Sequence, residues 1–150
     1  IPLLLISACL VGLNSRYDGT SKCYEQARQL VLEGKAIPVC PEQLGGLPTP
    51  RPPAEIQRLD GDAVLRGMAK VLTKAGHDVT DSFVRGALET LKLARLAGVT
   101  QAILKDGSPS CGSRLIYDGT FSGTKKPGKG VTAALLASSG ILVLTEYDGF

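Results

Sequence analysis

The sequence predicts an α/β domain in which a mainly parallel, Rossmann-like sheet is flanked by helices. Two observations support this fold class: short continuous apolar runs, typical of strands that are buried on both faces, and amphipathic segments that alternate with these runs along the chain. Such alternation favours crossover connections and parallel strands. We expect residues 1–150 to form a single domain, because 150 residues is the size of one ordinary domain.

The order of the predicted elements follows from these runs and from the helical periodicity. The strands are predicted over residues 1–7, 36–39, 101–104 and 141–145. Helices are predicted over residues 21–33, from Thr80 to about Ala97, and within 128–140. The segment 41–53 is rich in Pro and Gly and is predicted to be a loop, whereas 60–76 mixes strand-like and helical patterns.

The amino-acid composition argues against some classes of binding partner. A hydrophobic fraction of 43% and a charged fraction of 21% are those of a globular protein. Aromatic residues make up only 5% of the chain and Trp is missing, which argues against a stacking surface for nucleic acid, and a net charge of +3 adds little support for one. No run reaches the ~18 apolar residues of a membrane span. We therefore expect the protein to bind a small molecule and to bind neither nucleic acid nor a membrane. We expect it to be a monomer or a homodimer.

The four cysteines, at positions 9, 23, 40 and 111, are expected to be free thiols or metal ligands. A chain of this length with a good apolar core does not need disulfides for stability, and disulfides are rare in the cytosol. The expected location is therefore the cytoplasm.

Three of these cysteines are predicted to meet at one edge of the sheet. Cys9 follows the first predicted strand, Cys40 directly follows the second, and Cys111 lies in the loop after the third. In open α/β sheets, ligands bind outside the carboxyl ends of the strands. Cys23 falls instead within a predicted helix, and we do not expect it to be a ligand.

Three thiolates at one edge suggest a soft or borderline metal, either zinc or an iron–sulfur cluster. Structural zinc sites usually contain closely spaced Cys pairs, which are missing here, and the one histidine, His77, precedes a helix and is expected at the surface. A [4Fe–4S] cluster normally has four protein ligands, so three would leave one iron open as a Lewis acid. A non-enzymatic iron–sulfur carrier or sensor and a zinc-binding structural domain remain alternatives.

Polar residues near these cysteines are candidates for catalysis and substrate binding. Glu42 lies two residues after Cys40 and is a candidate general acid or base. The segment 108–112 offers the hydroxyls of Ser108 and Ser110 together with several backbone N–H groups, which can bind a substrate oxygen or an anion. Asp18 and Arg51 are further candidates for substrate binding, with an ordinary surface role as the alternative.

Two glycine-containing motifs give no support for a further function. The tetrapeptide Tyr-Asp-Gly-Thr occurs at 17–20 and again at 117–120, and we expect two similar turns rather than a duplication. Residues 123–130 match the phosphate-binding P-loop except at Gly130, where Ser or Thr is required to hold magnesium. A nucleoside triphosphatase is therefore not favoured.

The motifs taken together resemble those of a known family. They are the segments 7–12, 16–19, 40–42, 45–46, 50–51, 55–56, 78–80, 108–112, 117–121 and 128–133. In sequence and order these segments resemble the thiouracil desulfidase family across nearly the whole chain.

This resemblance implies a [4Fe–4S] cluster held by Cys9, Cys40 and Cys111, and an iron–sulfur-dependent enzyme. The implied reaction is non-redox hydrolysis of a carbon–sulfur bond in a thiolated pyrimidine or related compound, for example 2-thiouracil to uracil and sulfide. It also implies that Glu42 transfers protons and that Ser108 assists it. Many relatives carry a further cysteine where this chain has Ser15, so a fourth ligand there is excluded, which favours an open iron.

Overall fold

Four parallel strands form the central sheet of the protein, which a computed structural model describes over residues 3–150. In chain order the strands are β1 (Leu4–Ser7), β2 (Ala36–Val39), β3 (Ala54–Ile56), β4 (Val71–Thr73), β5 (Gln101–Leu104), β6 (Leu115–Tyr117), β7 (Lys125–Pro127) and β8 (Leu142–Thr145). The helices are α1 (Glu25–Leu32), α2 (Pro41–Leu44), α3 (Gly61–Leu65), α4 (Thr80–Leu96) and α5 (Val131–Ser138), with short 3-10 helices at Ala8–Val11 and Glu146–Asp148.

The predicted parallel sheet is confirmed. Its strand order is β2-β1-β5-β8, and every neighbouring pair is parallel. These are the four strands expected from the apolar runs. The first begins at Leu4, while Ile1 and Pro2 of the predicted strand lie outside the described residues.

The two faces of the sheet bury different halves of the core, because side chains along a strand alternate in direction. Leu5 and Leu104 pack in one cluster with Leu91 of α4 and Leu136 of α5. Ile6 and Ile103 pack in a second cluster with Ala27 of α1. Helices therefore cover both faces, as an α/β fold with parallel strands requires.

Helix α1 begins four residues later than predicted. Lys22 and Tyr24 donate their backbone N–H groups to the carbonyls of Cys9 and Leu10, at 3.0 and 2.8 Å, and Tyr24 has an extended backbone. The prediction that placed Cys23 in this helix is therefore wrong, and Cys23 lies in an exposed position of the preceding loop.

The other helices also differ at their ends. Helix α4 matches the prediction closely at Thr80–Leu96, whereas the helix expected within 128–140 begins only at Val131. Gly128 and Gly130 precede that helix because their N–H groups donate to the carbonyls of Arg114 and Gly112. Within residues 3–150, no helix is long and apolar enough to cross a membrane.

Two antiparallel strand pairs lie outside the main sheet, β3 with β4 and β6 with β7. Neither pair was predicted, since each strand has only three residues. The ambiguous segment 60–76 contains α3 and β4, and the predicted loop 41–53 begins with the single-turn helix α2.

Two glycines allow α2 to approach α4 closely. A Cβ atom on Gly86 of α4 would overlap the carbonyl oxygen of Pro41, and one on Gly45 would overlap the carbonyl oxygen of Ser82. Only residues without a side chain permit this contact. Because α2 carries Glu42 and directly follows Cys40, these glycines place both residues at the end of the sheet.

Candidate functional site

A cavity of about 370 Å³ opens at the carboxyl ends of the parallel strands, within the range of about 300–1,000 Å³ that is usual for ligand sites. Cys9, Cys40 and Cys111 all line this cavity. They follow β1, β2 and β5, which are neighbours in the sheet. The structure therefore brings the three predicted cysteines to one site.

The three thiols are free and shielded from solvent. Cys9 and Cys111 are buried and Cys40 is half-buried. Burial raises the pKa of Cys9 to about 11, against the opposing charge of Lys105, and burial also raises the pKa values of Cys40 and Cys111. Without a cation to bind, these groups remain protonated thiols at neutral pH.

The chemistry of these three donors suits an iron–sulfur cluster. Among residues 3–150, no three His, Cys, Asp or Glu side chains lie close enough together to hold a single metal ion. Soft thiolates are the donors that iron–sulfur clusters take. Three such donors around one cavity, with no fourth cysteine lining it, therefore fit a cluster that keeps one open position.

Glu42 lies in the same cavity and forms a buried ion pair. Its Oε1 accepts a hydrogen bond from Arg51 Nε at 3.1 Å, and the two side chains are only 16% and 4% exposed. Burial raises the pKa of Glu42, while the charge and hydrogen bond of Arg51 and the hydrogen bond of Ser108 oppose the rise. A carboxyl with a raised pKa is suited to exchange protons near neutral pH.

Arg51 is committed to the protein rather than free for a ligand. Besides Glu42, it donates to the carbonyls of Ser15 and Pro48, at 2.9 and 3.2 Å, and to Thr49 Oγ1 at 2.9 Å. The side chain lines the cavity, but each of its nitrogens already has an acceptor. Arg51 therefore holds Glu42 in place, which differs from the substrate-binding role expected from the sequence.

Ser108 joins Glu42 to the loop that carries Cys111. Its hydroxyl donates to Glu42 Oε2 at 3.5 Å and accepts the N–H groups of Ser110 and Cys111, at 3.0 and 3.1 Å. Asp106 shapes the same loop by accepting three further backbone N–H groups, from residues 113 to 115. The positions of Glu42, Ser108 and Cys111 are thus coupled.

A second ion pair lies on the Cys9 side of the cavity. Lys105 Nζ is 3.0 Å from Glu146 Oε2, whose side chain is fully buried, and it donates to the carbonyl of Asp106 at 2.9 Å. Glu146 Oε1 accepts the N–H of Asp106 at 2.8 Å. Burial lowers the pKa of Lys105, but the hydrogen bond and charge of Glu146 outweigh it and raise the pKa overall. The cavity wall therefore carries a fixed ammonium group.

Two predicted site residues are not brought to the cavity. Ser110 is buried and its hydroxyl is paired with Thr132 Oγ1 at 2.7 Å. Asp18 is exposed and its carboxylate accepts the N–H and hydroxyl of Thr20, which lowers its pKa. Both substrate-binding expectations therefore lack support, because each polar group is already used locally. Cys23 and His77 also lie away from the cavity, as expected.

Several residues of the cavity wall were not predicted. They are Tyr17, Glu55, Lys74, Lys105, Tyr117, Phe121 and Lys125. Lys105 directly follows β5, so the strand-end rule that located the cysteines applies to it as well. Tyr17 lies in the loop before α1, and the other wall residues come from the extra antiparallel strands and their loops, which gave no periodic signal.

Comparison with known proteins shows the family of the chain. A model of the family described as 2-thiouracil desulfurase matches residues 4–148. The chain belongs to this family. The resemblance inferred from the motifs is thereby confirmed, and it extends over almost all of the cavity-forming elements.

Two individual relatives of the chain are similar along almost their full length. YbbK of Bacillus subtilis (strain 168), described as uncharacterized, is 50% identical over 146 residues, which cover 97% of each protein. A solved structure of the [4Fe-4S]-dependent thiouracil desulfidase TudS has a TM-score of 0.88 and 45% sequence identity, with 99% of this chain and 93% of that chain covered. The α/β fold with its parallel sheet is therefore shared with TudS.

Proposed function

We propose that this protein is an iron–sulfur-dependent desulfidase that converts a thiolated pyrimidine, such as 2-thiouracil, and water into the oxo-pyrimidine and sulfide. The observation that carries the proposal is the meeting of three free cysteines and the half-buried Glu42 in one cavity. Membership of the 2-thiouracil desulfurase family and the similarity to TudS support the same reaction.

Cys9, Cys40 and Cys111 are the residues that would hold a [4Fe–4S] cluster. With three protein ligands, such a cluster has one iron free to act as a Lewis acid toward the substrate's sulfur. The ammonium of Lys105, beside Cys9, balances part of the negative charge of the thiolates. The Ser108 hydroxyl accepts the N–H of Cys111 at 3.1 Å and so fixes the loop that carries this cysteine, while Arg51 Nη2 lies 4.0 Å from Cys40 Sγ.

Glu42 moves the proton in this proposal. Its Oε1 is occupied by Arg51, so Oε2, which faces the Ser108 hydroxyl, is the atom free to exchange a proton. Oε2 accepts one proton from the attacking water as the new carbon–oxygen bond forms, and it delivers that proton to the leaving sulfur as the carbon–sulfur bond breaks. The second water proton, which remains on the new hydroxyl, then passes through the same Oε2 to the sulfur as the carbonyl forms. Atoms balance as thiocarbonyl plus water giving carbonyl plus hydrogen sulfide, with no change in oxidation state.

The reducing cytoplasm is the compartment in which the three free thiols would persist, and we place the protein there. The partner in this proposal is a small thio-compound, and the chain works as a monomer or homodimer.

Two measurements test the proposal. Protein reconstituted without oxygen should bind about four irons and four sulfides per chain. Serine substitution at Cys9, Cys40 or Cys111 should abolish this binding, whereas Cys23→Ser, which changes an exposed thiol outside the cavity, should not. Failure to bind iron would overturn the proposal.

Glu42→Gln tests the proton transfer separately from the cofactor. This variant should keep the iron content and absorption spectrum and should lose about 10²–10⁴-fold in the rate of uracil formation, as expected for a missing general acid–base group. Glu25→Gln, at an exposed position of α1, is the matched control. Full turnover by Glu42→Gln would refute the assigned role, and a stable cluster without turnover in the unsubstituted protein would favour a carrier or sensor.

A further inference from the structure

The motif at residues 117–121 forms part of the cavity wall but has no part in the proton transfer described above. Phe121 lies on the loop between β6 and β7 and lines the same cavity as the three cysteines. Cys9 and Cys111 are buried at the strand ends, whereas Phe121 is half-buried. Phe121 therefore adds an apolar side chain to the lining of the cavity that contains the three thiols.

The backbone of Phe121 adopts an unusual conformation. Its φ angle is +55°, in the left-handed region that side chains other than Gly, Asn and Asp rarely adopt. Such a residue persists only where its surroundings hold it, and it is found most often at ligand sites. A residue outside the loop is therefore needed to hold the backbone of Phe121 in this conformation.

That restraint is Glu55 of β3. Glu55 is buried, and its Oε1 accepts the backbone N–H groups of Gly119 and Phe121, at 2.9 and 3.2 Å. Gly119 packs so closely on β3 that an added Cβ would lie 2.7 Å from the carbonyl oxygen of Ile56. A buried carboxylate and a close backbone contact thus fix the loop from the neighbouring strand.

The loop is also braced by its own hydrogen bonds. The N–H of Asp118 donates to the carbonyl of Thr124 at 3.0 Å, and the Asp118 carboxylate accepts both the N–H and the hydroxyl of Thr120. The same Asp–Thr pattern occurs in the turn at residues 17–20. The repeated tetrapeptide is therefore a recurring turn, and only its second copy is followed by a phenylalanine.

Phe121 differs from the other aromatic side chains of the cavity. The ring of Tyr117 lies under the Lys125 ammonium, 5.4 Å from its centroid, and Tyr17 is exposed. Phe121 has no polar group, so its free energy of contact comes from the faces and edges of its ring. Aromatic rings favour offset-stacked or edge-to-face packing against other flat rings.

We propose that Phe121 selects flat heteroaromatic thio-substrates over acyclic thiocarbonyl compounds, and that Glu55 is the positioning residue that holds it. This inference rests on the proposed desulfidase function, since it concerns the ring that bears the reacting sulfur. Phe121 contacts the ring and does not take part in proton transfer. Its loss therefore weakens binding more than it slows the reaction.

Phe121→Leu tests the first half of the inference, because it keeps an apolar side chain and the backbone constraint but removes the ring. For the reconstituted protein, the KM for 2-thiouracil should rise about 3–10-fold with little change in kcat, while the kcat/KM for thioacetamide should stay unchanged. Phe150→Leu is the matched control, since Phe150 is also partly exposed but lies beside Tyr24. Equal losses for both substrates would overturn the selection.

Glu55 is tested by two substitutions. Glu55→Gln keeps a side-chain oxygen for the two N–H groups and should retain the KM of the unsubstituted protein, whereas Glu55→Ala removes the acceptor and should reproduce the KM increase of Phe121→Leu. A purely structural role would lower kcat and the unfolding midpoint without changing the preference between the two substrates. Loss of preference in Glu55→Gln as large as in Glu55→Ala would overturn the positioning role.

Binding of 2-thiouracil, measured by equilibrium dialysis, separates this inference from the proposed function. If the unsubstituted protein binds 2-thiouracil without converting it, and Phe121→Leu weakens that binding about 3–10-fold, the inference stands and the proposed activity fails. If the unsubstituted protein converts 2-thiouracil and Phe121→Leu leaves KM and binding unchanged, the inference fails and the activity stands. No binding by the unsubstituted protein would overturn the inference.

Discussion

Replacing Arg51 by Met should strongly destabilise the protein even before any cofactor is bound. The Arg51–Glu42 pair is held at 3.1 Å with side chains that are 4% and 16% exposed, so solvent screens it little. Removing the guanidinium leaves a buried carboxylate without its countercharge, a change that typically costs about 3–5 kcal/mol. The same change leaves the carbonyl of Ser15 without its 2.9 Å partner.

Urea unfolding of the reduced, metal-free protein measures this loss as a free energy of unfolding, and thermal unfolding measures it as a change in Tm. For domains of this length, each kcal/mol corresponds to about 2–4 °C in Tm, so Arg51→Met should lower the melting temperature by about 6–20 °C. Arg28→Met is the matched control: Arg28 pairs with Glu25 at the same 3.1 Å, but the side chains are 51% and 72% exposed. Exposed pairs contribute only about 0–1 kcal/mol.

A double-mutant cycle assigns the loss to the pair. If the cost arises from the Arg51–Glu42 contact, Arg51→Met should be much less harmful in a Glu42→Gln background, with a coupling free energy of about 0.5–3 kcal/mol. Arg51→Met as mild as Arg28→Met would refute the reasoning that burial makes this pair important. Equal costs in both backgrounds would show that the carbonyl contacts of Arg51, rather than Glu42, carry its effect.

Two further substitutions test how the fold supports the site. Gly86→Ala should push α2 away from α4, because a Cβ there overlaps the carbonyl of Pro41. We expect the free energy of unfolding in urea to fall by about 1–3 kcal/mol and less iron to bind after reconstitution. Leu88→Ala, at an exposed position of the same helix, is the control. The N–H of Thr145 lowers the pKa of Asp148, so its carboxylate stabilises the fold above the ordinary Asp pKa of about 3.9, and this contribution disappears as the pH falls through the lowered value. Asp148→Asn should therefore be less stable than the unsubstituted protein at pH 7 and should approach it at low pH in thermal unfolding, whereas an equal difference at both pH values would contradict the role of the charge.

The sequence predicted the sheet and the cysteine site because both depend on local patterns. A strand buried on both faces is a continuous apolar run, and the residue after such a run lies at the carboxyl edge of a parallel sheet. Cys40 directly follows β2, and Cys9 and Cys111 follow β1 and β5 by a few residues. No knowledge of side-chain contacts was needed to bring them together.

The parts that could not be predicted depend on contacts between distant residues. The late start of α1 results from N–H groups of residues 22 and 24 that donate to carbonyls of residues 9 and 10. Ser108 and Ser110 are equivalent by sequence, yet one hydroxyl reaches Glu42 and the other reaches Thr132. Likewise, Glu146 is remote from Lys105 in sequence but is its buried partner.

The carboxylates and the cysteines of the cavity are kept uncharged overall in two different ways. Glu42 is matched by Arg51, and Glu146 by Lys105, so each buried carboxylate of these pairs already has its own cation. The three cysteines are protonated instead, because burial raises their pKa values, that of Cys9 to about 11, although Lys105 lies beside Cys9 and Arg51 Nη2 is 4.0 Å from Cys40 Sγ. Metal binding requires thiolates, so loading the site must release protons from these cysteines. The burial that keeps these thiols protonated therefore also makes thiolates there dependent on bound iron.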